Sequence, residues 1–272
     1  MRLTGMRPLP RLAPRTPVDL RGKRILLTGA SSGIGEAAAE KLANHGATVI
    51  VVARRAHLLD GVVARITARG GSAIAVPTNL ADLDAVDELA STAGPVDILI
   101  NNAARSIRRP LLESLERWHD VERTIALNYY APLRLIRGLA PGMVERGGGH
   151  IINISSWRVM PESSPLFGVY NASKAAIHML TESIRLQLAD SNIEFKELIP
   201  PSVATDLLPG QRESSFAMPL DDFVSEVMSI LESEPEATEI QVERVKFLRY
   251  GEARGDYDKV VETLNSSDPH GN

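Results

Sequence analysis

Two residues four positions apart offer proton-transfer chemistry. Tyr170 and Lys174 lie in a segment with helical periodicity, and residues four apart on a helix share one face. A phenol with a pKa of about 10 exchanges protons poorly at neutral pH, but a neighbouring ammonium favours the phenolate and lowers that pKa. The pair predicts Tyr170 as a general acid or base. Taken alone, a tyrosine four residues before a lysine is more often an ordinary helix surface, so the hypothesis depends on the rest of the chain.

A glycine-rich turn near the start of the chain offers phosphate binding. It follows the apolar run that ends at Thr28 and leads into an alanine-rich helical segment. Glycines there let backbone amides approach a pyrophosphate, and a helix start supplies free N–H groups and partial positive charge. The strand before it and the helix after it favour a nucleotide turn over a plain strand-to-helix turn. The candidate cofactor residues of the turn are Gly29, Ser31, Ser32, Gly33, Ile34 and Gly35.

The end of the second apolar run indicates which dinucleotide binds. Proteins that bind the unphosphorylated form usually place an acid there to accept a hydrogen bond from the ribose 2′-hydroxyl. Arg54 and Arg55 stand at this point instead. Guanidinium groups can bind a 2′-phosphate through charge-assisted hydrogen bonds, so the sequence favours NADP(H), with NAD(H) possible. The alternative is that the two arginines only begin an exposed helix.

The alternation of short β-branched runs with helical segments predicts the fold that positions these residues. It indicates one doubly wound, Rossmann-like α/β domain, in which a seven-stranded parallel sheet carries helices on both faces. Two connections, 157–167 and 206–219, interrupt the alternation and would emerge at the carboxyl ends of strands, where such sheets bind ligands. The predicted strands are 24–28, 48–52, 73–76, 98–101, 150–155, 194–199 and 239–242, and the predicted helices are 33–45, 56–68, 83–91, 114–137, 169–189 and 221–232.

Composition excludes several classes of protein. The chain has 272 residues, of which 44% are hydrophobic and 24% charged, which predicts a folded core. A net charge of -4 argues against nucleic-acid binding, and no apolar stretch approaches the roughly 18 to 20 residues of a membrane span. The absence of cysteine excludes disulfides and thiolate zinc sites and leaves the cytoplasm as the default location. The six histidines show no metal-ligand spacing, so we predict no metal site.

Both ends of the chain differ from its middle. Residues 1–20 are rich in arginine and proline and predict a loosely ordered arm. Residues 21–245 form the predicted catalytic domain, whose substrate loop covers about 206–219. Residues 246–272 form a C-terminal tail, for which a solvated terminal helix is the favoured interpretation and a subunit or membrane cover the alternative.

Further motifs occur in the order and near the spacing of a known family. Asn101-Asn102-Ala103-Ala104 follows the fourth predicted strand, Asn128 lies in a long predicted helix, and Ser155-Ser156 ends the fifth strand. With the glycine turn and the tyrosine and lysine, these motifs extend from about residue 24 to residue 205. The chain therefore resembles the short-chain dehydrogenase/reductase family, in its Tyr-x-x-x-Lys branch.

The resemblance implies a role for each matching position. Tyr170 would exchange the proton with the substrate oxygen, and Lys174 would lower the pKa of that tyrosine and hold the nicotinamide ribose. Ser156 would hydrogen-bond the substrate carbonyl or alcohol, and Asn128 would hold a water that links the lysine to solvent. The other cofactor contacts would come from Asn79 and Leu80 at the adenine, from Asn102, Ala103 and Ala104 beside the cofactor, and from Val203 and Thr205 at the nicotinamide amide. The family also implies a homodimer or homotetramer.

Three substitutions depart from the family pattern. Asn79 replaces the usual acid before the adenine and can still accept through its amide oxygen. Ala104 replaces a glycine, and Pro201 replaces the glycine that normally follows Pro200. The proline removes one N–H group and stiffens the loop near the nicotinamide.

The spacing of the catalytic serine is the fourth departure. Ser156 lies fourteen residues before Tyr170, one more than the family commonly shows. We attribute this to a one-residue insertion in the 157–167 loop, because Asn153-Ile154-Ser155-Ser156 matches the strand end well. Ser155 is the alternative.

Apolar residues in the two irregular loops are candidates for a substrate pocket, which would suit a medium-sized hydrophobic carbonyl or alcohol compound. Packing of these loops onto the sheet is an equally weighted alternative. The residues are Trp157, Met160, Leu166, Phe167, Leu207, Leu208 and Phe216, of which Trp157 and Leu207 join Ser156 and Tyr170 as the predicted substrate contacts.

These observations together predict an NADP(H)-dependent oxidoreductase. Its reaction would be hydride transfer between the nicotinamide and a carbonyl/alcohol substrate, with Tyr170 as general acid or base. The alternative is a catalytically silent regulator that keeps the nucleotide site. The intact set of Asn128, Ser156, Tyr170 and Lys174 disfavours the regulator, because a binding module needs no proton relay.

Overall fold

Seven parallel strands form the centre of the protein in a computed structural model that describes residues 17–110, 112, 115–157 and 167–266. The strand order is β3-β2-β1-β4-β5-β6-β7, so the chain winds first to one side of β1 and then to the other. This arrangement confirms the predicted doubly wound fold. The strands are β1 (Arg24–Thr28), β2 (Thr48–Ala53), β3 (Ser72–Pro77), β4 (Ile98–Asn101), β5 (Gly149–Ile154), β6 (Ile193–Leu198) and β7 (Glu239–Ile240).

Helices cover both faces of this sheet. Their bounds match the prediction within two residues for the helices after β1, β2, β3, β5 and β6. Three short helices follow β7, where the sequence indicated one amphipathic tail. The helices are α1 (Gly33–Asn44), α2 (Ala56–Ala68), α3 (Leu83–Thr92), α4 (Trp118–Ile125), α5 (Ala131–Glu145), α6 (Gly168–Gln187), α7 (Leu220–Ser233), α8 (Glu243–Arg249), α9 (Gly251–Arg254) and α10 (Tyr257–Ser266).

The single helix predicted over 114–137 is wrong. A 3₁₀ turn (Leu115–Arg117) precedes α4, and a π-helical turn (Ala126–Tyr130) separates α4 from α5. Pro132 in the first turn of α5 has no N–H with which to bond the carbonyl of Asn128, so regular α-helical bonding cannot run through this point. Asn128 therefore lies in a π-helical turn and not in a regular α-helix.

Side chains of successive strand residues supply two apolar cores. Ile25 and Leu27 of β1 face the core under α1, α2 and α7, whereas Leu26 faces the core under α3, α5 and α6. All three side chains are fully buried. Helices packed on both faces explain why the strands read as near-continuous apolar runs.

The C-terminal tail packs on the domain instead of forming a solvated helix. Val245 of α8 and Val260 of α10 are completely buried and belong to the core under α1 and α7. Arg249 of α8 also contacts Glu239 of β7. In the part of the chain described by the structure, no helix is both long and apolar enough to cross a membrane.

The first described residues border a cavity at the amino edge of the sheet. Pro17 to Arg21 line this space of about 340 Å³ together with apolar side chains of β1, β4, α1 and α7. None of the predicted site residues lies in its wall. The predicted site residues lie at the opposite, carboxyl edge of the sheet.

Candidate active site

The glycine turn is packed too closely to accept side chains. Gly29 has a φ of 70°, and a Cβ there would lie 2.7 Å from the Cα of Ala103. A Cβ on Gly35 would overlap the carbonyl oxygen of Gly29. Helix α1 therefore starts in direct contact with the end of β1, with its first N–H groups toward the carboxyl edge of the sheet.

The segment after β4 holds this turn in place. Asn102 Nδ2 donates to the carbonyl oxygens of Thr28 and Gly29 at 2.9 and 3.2 Å. The hydroxyl oxygen of Thr28 in turn accepts from the backbone N–H groups of Asn102 and Ala103, each at 3.0 Å. The predicted cofactor residues of β1 and β4 thus form one hydrogen-bonded unit.

Arg55 reaches over the same turn. Its Nη2 donates to the hydroxyls of Ser31 and Ser32, both at 2.9 Å. Arg54 is exposed and has no hydrogen bond or ion pair with another residue of the described chain. Two arginines thus follow directly after the end of β2, one bonded to the glycine turn and one exposed.

Other predicted cofactor residues surround the turn. Leu80 is buried after β3, and Asn79 accepts a hydrogen bond from Ala81 N at 3.3 Å. Thr205 lies against Gly33, whose added Cβ would fall 3.2 Å from the Thr205 methyl group. Val203 is buried and forms a parallel bridge with Met218. The predicted residues Ile34 and Ala104 are half-buried in the same region.

Helix α6 brings the tyrosine and the lysine together. Tyr170 and Lys174 are both buried, and the Lys174 ammonium lies 5.9 Å from the centre of the Tyr170 ring. Lys174 Nζ donates to the carbonyl oxygen of Ile154 at the end of β5, at 2.7 Å. Burial lowers the pKa of Lys174 to about 8, although the negative charge of Glu197 acts to raise that pKa. The ammonium is therefore predominantly charged at neutral pH.

Asn128 is fixed in the π-helical turn by contacts on both sides of its amide. Its Oδ1 accepts from Arg105 N at 2.8 Å, and its Nδ2 donates to Arg105 O at 3.0 Å and to Ser173 Oγ at 2.9 Å. Ser173 Oγ then donates to the carbonyl oxygen of Tyr170 at 2.7 Å. Asn128 is thus tied to the helix that carries the tyrosine, although its predicted contact with a water stays a prediction.

The strand-end serines lie at the same edge but differ in their surroundings. Ser156 is buried and interacts with at least one other residue. Ser155 Oγ is buried and has no hydrogen-bond partner among the described residues. Trp157 is buried in the apolar core, and Leu207 is 41% exposed. Met160, Leu166 and the rest of 158–166 lie outside the described residues.

A row of polar side chains, which the sequence analysis did not identify, crosses the sheet beside these residues and is buried except at its last member, Glu239. Asn101, Asn153, Glu197 and Glu239 are paired in register across β4, β5, β6 and β7. We call them the polar row. Asn101 Nδ2 donates to Asn153 Oδ1, and Asn153 Nδ2 donates to Thr181 Oγ1 of α6, both at 2.8 Å. The asparagines within the apolar strands β4 and β5 were the available signal, once the register was known.

The far end of the row meets α6 and α8. Glu197 Oε2 lies 2.7 Å from His178 Nδ1, and Arg249 donates to both carboxylate oxygens of Glu239 at 3.1 and 2.7 Å. Ligand atoms of His178, Glu197 and Glu239 lie within 4.8 Å of one another, a spacing that could hold a metal ion. Arg249 already supplies positive charge, and the Glu197 hydrogen bond raises the pKa of His178. We assign no metal there, because Arg249 occupies both oxygens of Glu239 and His178 contacts one oxygen of Glu197.

The lowered pKa of Lys174 predicts a pH-dependent stability difference. Because the unfolded lysine titrates near 10.5, the unfolded chain binds one more proton than the folded chain between about pH 8 and 10.5. Wild type should therefore gain up to about 3 kcal/mol over Lys174→Met across that window as the pH rises. Urea unfolding of both proteins without cofactor at pH 7, 8, 9 and 10 measures the difference. Equal pH slopes would contradict it.

Comparison with known proteins agrees with this geometry. A sequence model of the short chain dehydrogenase family matches residues 23–215. The chain belongs to that family. It is 57% identical over 216 residues to a fatty acyl-CoA reductase of Mycobacterium tuberculosis, covering 76% of this chain and 74% of that protein. It is 41% identical over 194 residues to a fatty acyl-CoA reductase of Acinetobacter baylyi, covering 70% of this chain and 65% of that protein.

Solved structures of this family share the fold. A metagenomic short-chain oxidoreductase in complex with NADP has a TM-score of 0.71 and 31% identity, with 83% of this chain and 98% of that chain covered. A short-chain dehydrogenase from Sphingobium yanoikuyae in complex with NADPH has a TM-score of 0.75 and 27% identity, with 90% and 98% covered. The present chain is thus an oxidoreductase of this family with a Rossmann-like fold.

Proposed function

We propose that this short-chain dehydrogenase uses NADPH to reduce the carbonyl carbon of a fatty acyl group carried as a coenzyme A thioester. The observation that carries the proposal is that Tyr170, Lys174, Asn128 and Ser156 gather around the end of β5 and the start of α6, at the same carboxyl edge of the sheet as the glycine turn. The names of the two acyl-CoA reductases support the choice of substrate class over other carbonyl compounds.

The residues present fit a phosphorylated dinucleotide. The closely packed turn leads directly into the first turn of α1, Arg55 adds positive charge at its serines, and Arg54 precedes Arg55. The NADP and NADPH held by related structures support the same assignment. We propose that the glycine turn holds the pyrophosphate, that the arginines hold the 2′-phosphate, and that Thr205 lies toward the nicotinamide.

The chemistry requires charge stabilisation and one mobile proton. The cofactor supplies a hydride to the carbonyl carbon, and the residues of the chain handle the charge that develops on oxygen. Ser156 and Tyr170 donate hydrogen bonds to that oxygen, and Tyr170 transfers its proton to it. The Lys174 ammonium stabilises the resulting phenolate. When the carbon–sulfur bond breaks, the oxygen returns its proton as the carbonyl re-forms, and the thiolate leaves and takes up a proton from solvent.

Exposed apolar side chains support the proposal of a homo-oligomer. Trp118 of α4 and Met179 and Leu186 of α6 are each more than 60% exposed. Large apolar side chains at such exposure are typical of an interaction surface. We propose a homodimer or homotetramer whose subunit contacts cover α4 and α6. We propose the cytoplasm as its location. Light scattering of the purified protein measures the mass of the oligomer.

The function is tested by following both products of one reaction. Purified protein is mixed with NADPH and saturated fatty acyl-CoA thioesters of increasing chain length, and NADPH loss is read at 340 nm. Released thiol is read with a disulfide reagent, which reports only coenzyme A because the chain contains no cysteine. We expect NADPH loss and thiol release in a one-to-one ratio if the aldehyde accumulates. Reduction of aldehydes without reduction of any thioester would contradict the substrate class, and NADPH binding without turnover would favour a regulator.

A further inference from the structure

A group of arginines follows the cofactor loop on the β4 side of the candidate active site. Arg105, Arg108 and Arg109 come after Ala104, and Arg117 stands directly before α4. Arg105, Arg109 and Arg117 all contact the carboxylate of Asp120, at 2.6 Å for Arg105 and 3.1 Å for Arg117. We call the four arginines the arginine cluster.

The cluster carries more positive charge than its acid can balance. Burial raises the pKa of Asp120, but the hydrogen bond from Arg109 and the neighbouring positive charges outweigh burial and hold that pKa below its usual value. Asp120 is therefore a single negative charge shared among three guanidinium groups. Those groups are 32% to 45% exposed, so they can bind a further anion without unfolding the loop.

Arg108 strengthens this imbalance. No carboxylate of the described chain forms an ion pair with it, and its Nε is buried without a hydrogen-bond partner. A buried guanidinium N–H that lacks an acceptor is costly unless a ligand or water supplies one. The fourth arginine thus adds a donor that no acceptor among the described residues satisfies.

The loop that carries the cluster contacts the candidate active site through its backbone. Arg105 N and Arg105 O both bond to the side-chain amide of Asn128. Asn128 in turn donates to Ser173 of α6, the helix that carries Tyr170. The cluster is also separate from the predicted 2′-phosphate contacts. Arg54 and Arg55 follow β2, and β1 lies between β2 and β4 in the sheet.

We propose that the arginine cluster binds the phosphate groups of the coenzyme A portion of an acyl thioester. This inference rests on the proposed function. The pantetheine arm separates the thioester carbon from the nucleotide phosphates, so the phosphates must be held away from the reacting atoms, at the mouth of the site. Partly exposed guanidinium groups on a loop whose backbone contacts Asn128 meet this requirement, and their planar forks match phosphate oxygens.

The test compares substrates that share an acyl chain but differ in phosphates. Decanoyl-CoA, the corresponding dephospho-CoA thioester and the N-acetylcysteamine thioester are assayed at saturating NADPH. The variant is Arg108→Ala, because Arg108 does not contact Asp120, and Arg137→Ala on α5 is the control for loss of an exposed arginine. We expect Arg108→Ala to raise the KM for decanoyl-CoA roughly three- to tenfold with kcat unchanged. The KM for the N-acetylcysteamine thioester and the affinity for NADPH should stay the same.

A salt titration of wild type tests the proposal if Arg108→Ala does not fold, and calorimetry with coenzyme A tests it if no thioester reacts. The KM of wild type for decanoyl-CoA should rise with sodium chloride, and that for the N-acetylcysteamine thioester should not, because only the former depends on charge. Calorimetry should show that free coenzyme A binds wild type more tightly than it binds Arg108→Ala. Binding of coenzyme A without turnover would contradict the proposed function and support the cluster.

Several outcomes overturn the inference. Equal effects of Arg108→Ala on the coenzyme A and N-acetylcysteamine thioesters would mean that the residue acts on the acyl chain or on loop structure. Loss of NADPH affinity would reassign the cluster to the cofactor. Impairment of Arg108→Ala only with a decanoyl group on an acyl carrier protein, and not with decanoyl-CoA, is the third such outcome. That result would mean that the cluster binds the carrier protein and not the phosphates of coenzyme A.

Discussion

Tyr170→Phe is expected to lower kcat roughly 10²- to 10⁴-fold while the Kd for NADPH changes by less than about twofold. The phenylalanine keeps the ring that lies beside the Lys174 ammonium and removes only the hydroxyl. Since Tyr170 is buried in α6, the ring should keep its packing. The measurements are NADPH titration by fluorescence and single-turnover NADPH oxidation with the best thioester substrate.

A second tyrosine supplies the control. Tyr250 is 42% exposed directly after α8, so Tyr250→Phe removes a hydroxyl of the same kind from a residue outside the candidate active site. It should leave kcat and cofactor affinity unchanged. If Tyr170→Phe retained wild-type turnover, another group would have to protonate the substrate oxygen, and Ser156 would be the first residue to replace.

Replacing both Arg54 and Arg55 by alanine is expected to weaken NADPH binding roughly 10²-fold and NADH binding only about twofold. A charge-assisted hydrogen bond to phosphate is lost at each position, whereas NADH offers no 2′-phosphate to either arginine. Part of the loss for Arg55 will reach both cofactors, because this side chain also bonds Ser31 and Ser32 at the glycine turn. The ratio of the two Kd values isolates the phosphate contribution.

Lys41→Ala is the control for loss of a positive charge elsewhere on α1. Lys41 is exposed in the last turn of α1, at the end opposite the glycine turn. Its replacement by alanine removes one positive charge. Its NADPH and NADH affinities should fall together, if at all. Equal losses of both cofactors in the double arginine variant would contradict the 2′-phosphate assignment.

Features set by local chain chemistry were predictable from the sequence. The glycine turn at Gly29 to Gly35, the strand of residues 24–28 and the helix of residues 56–68 follow from glycine content and apolar periodicity within short windows. The register of Tyr170 and Lys174 on α6 follows from helical geometry alone. These elements required no knowledge of distant contacts.

Features that depend on distant residues were not predictable in the same way. The break at Asn128 arises where Pro132 interrupts a periodicity that otherwise continues, and proline alone does not tell whether a helix kinks, ends or widens into a π turn. Burial of Val260 depends on the docking of the tail onto the core under α1 and α7. The sharing of Asp120 by three arginines likewise depends on how the loop after β4 folds back on α4.

The polar row has a consequence for how the chain folds. Parallel strands come from distant segments, and apolar strands such as β4 and β5 could pair in several registers with similar burial. A slip of one residue would turn Asn101 onto the face of Ile98 and Ile100, and Asn153 onto the face of Ile154. Each amide would then be buried without its partner, at a cost of a few kcal/mol. The row therefore penalises misaligned strand pairings and leaves one register for the sheet that holds the catalytic residues.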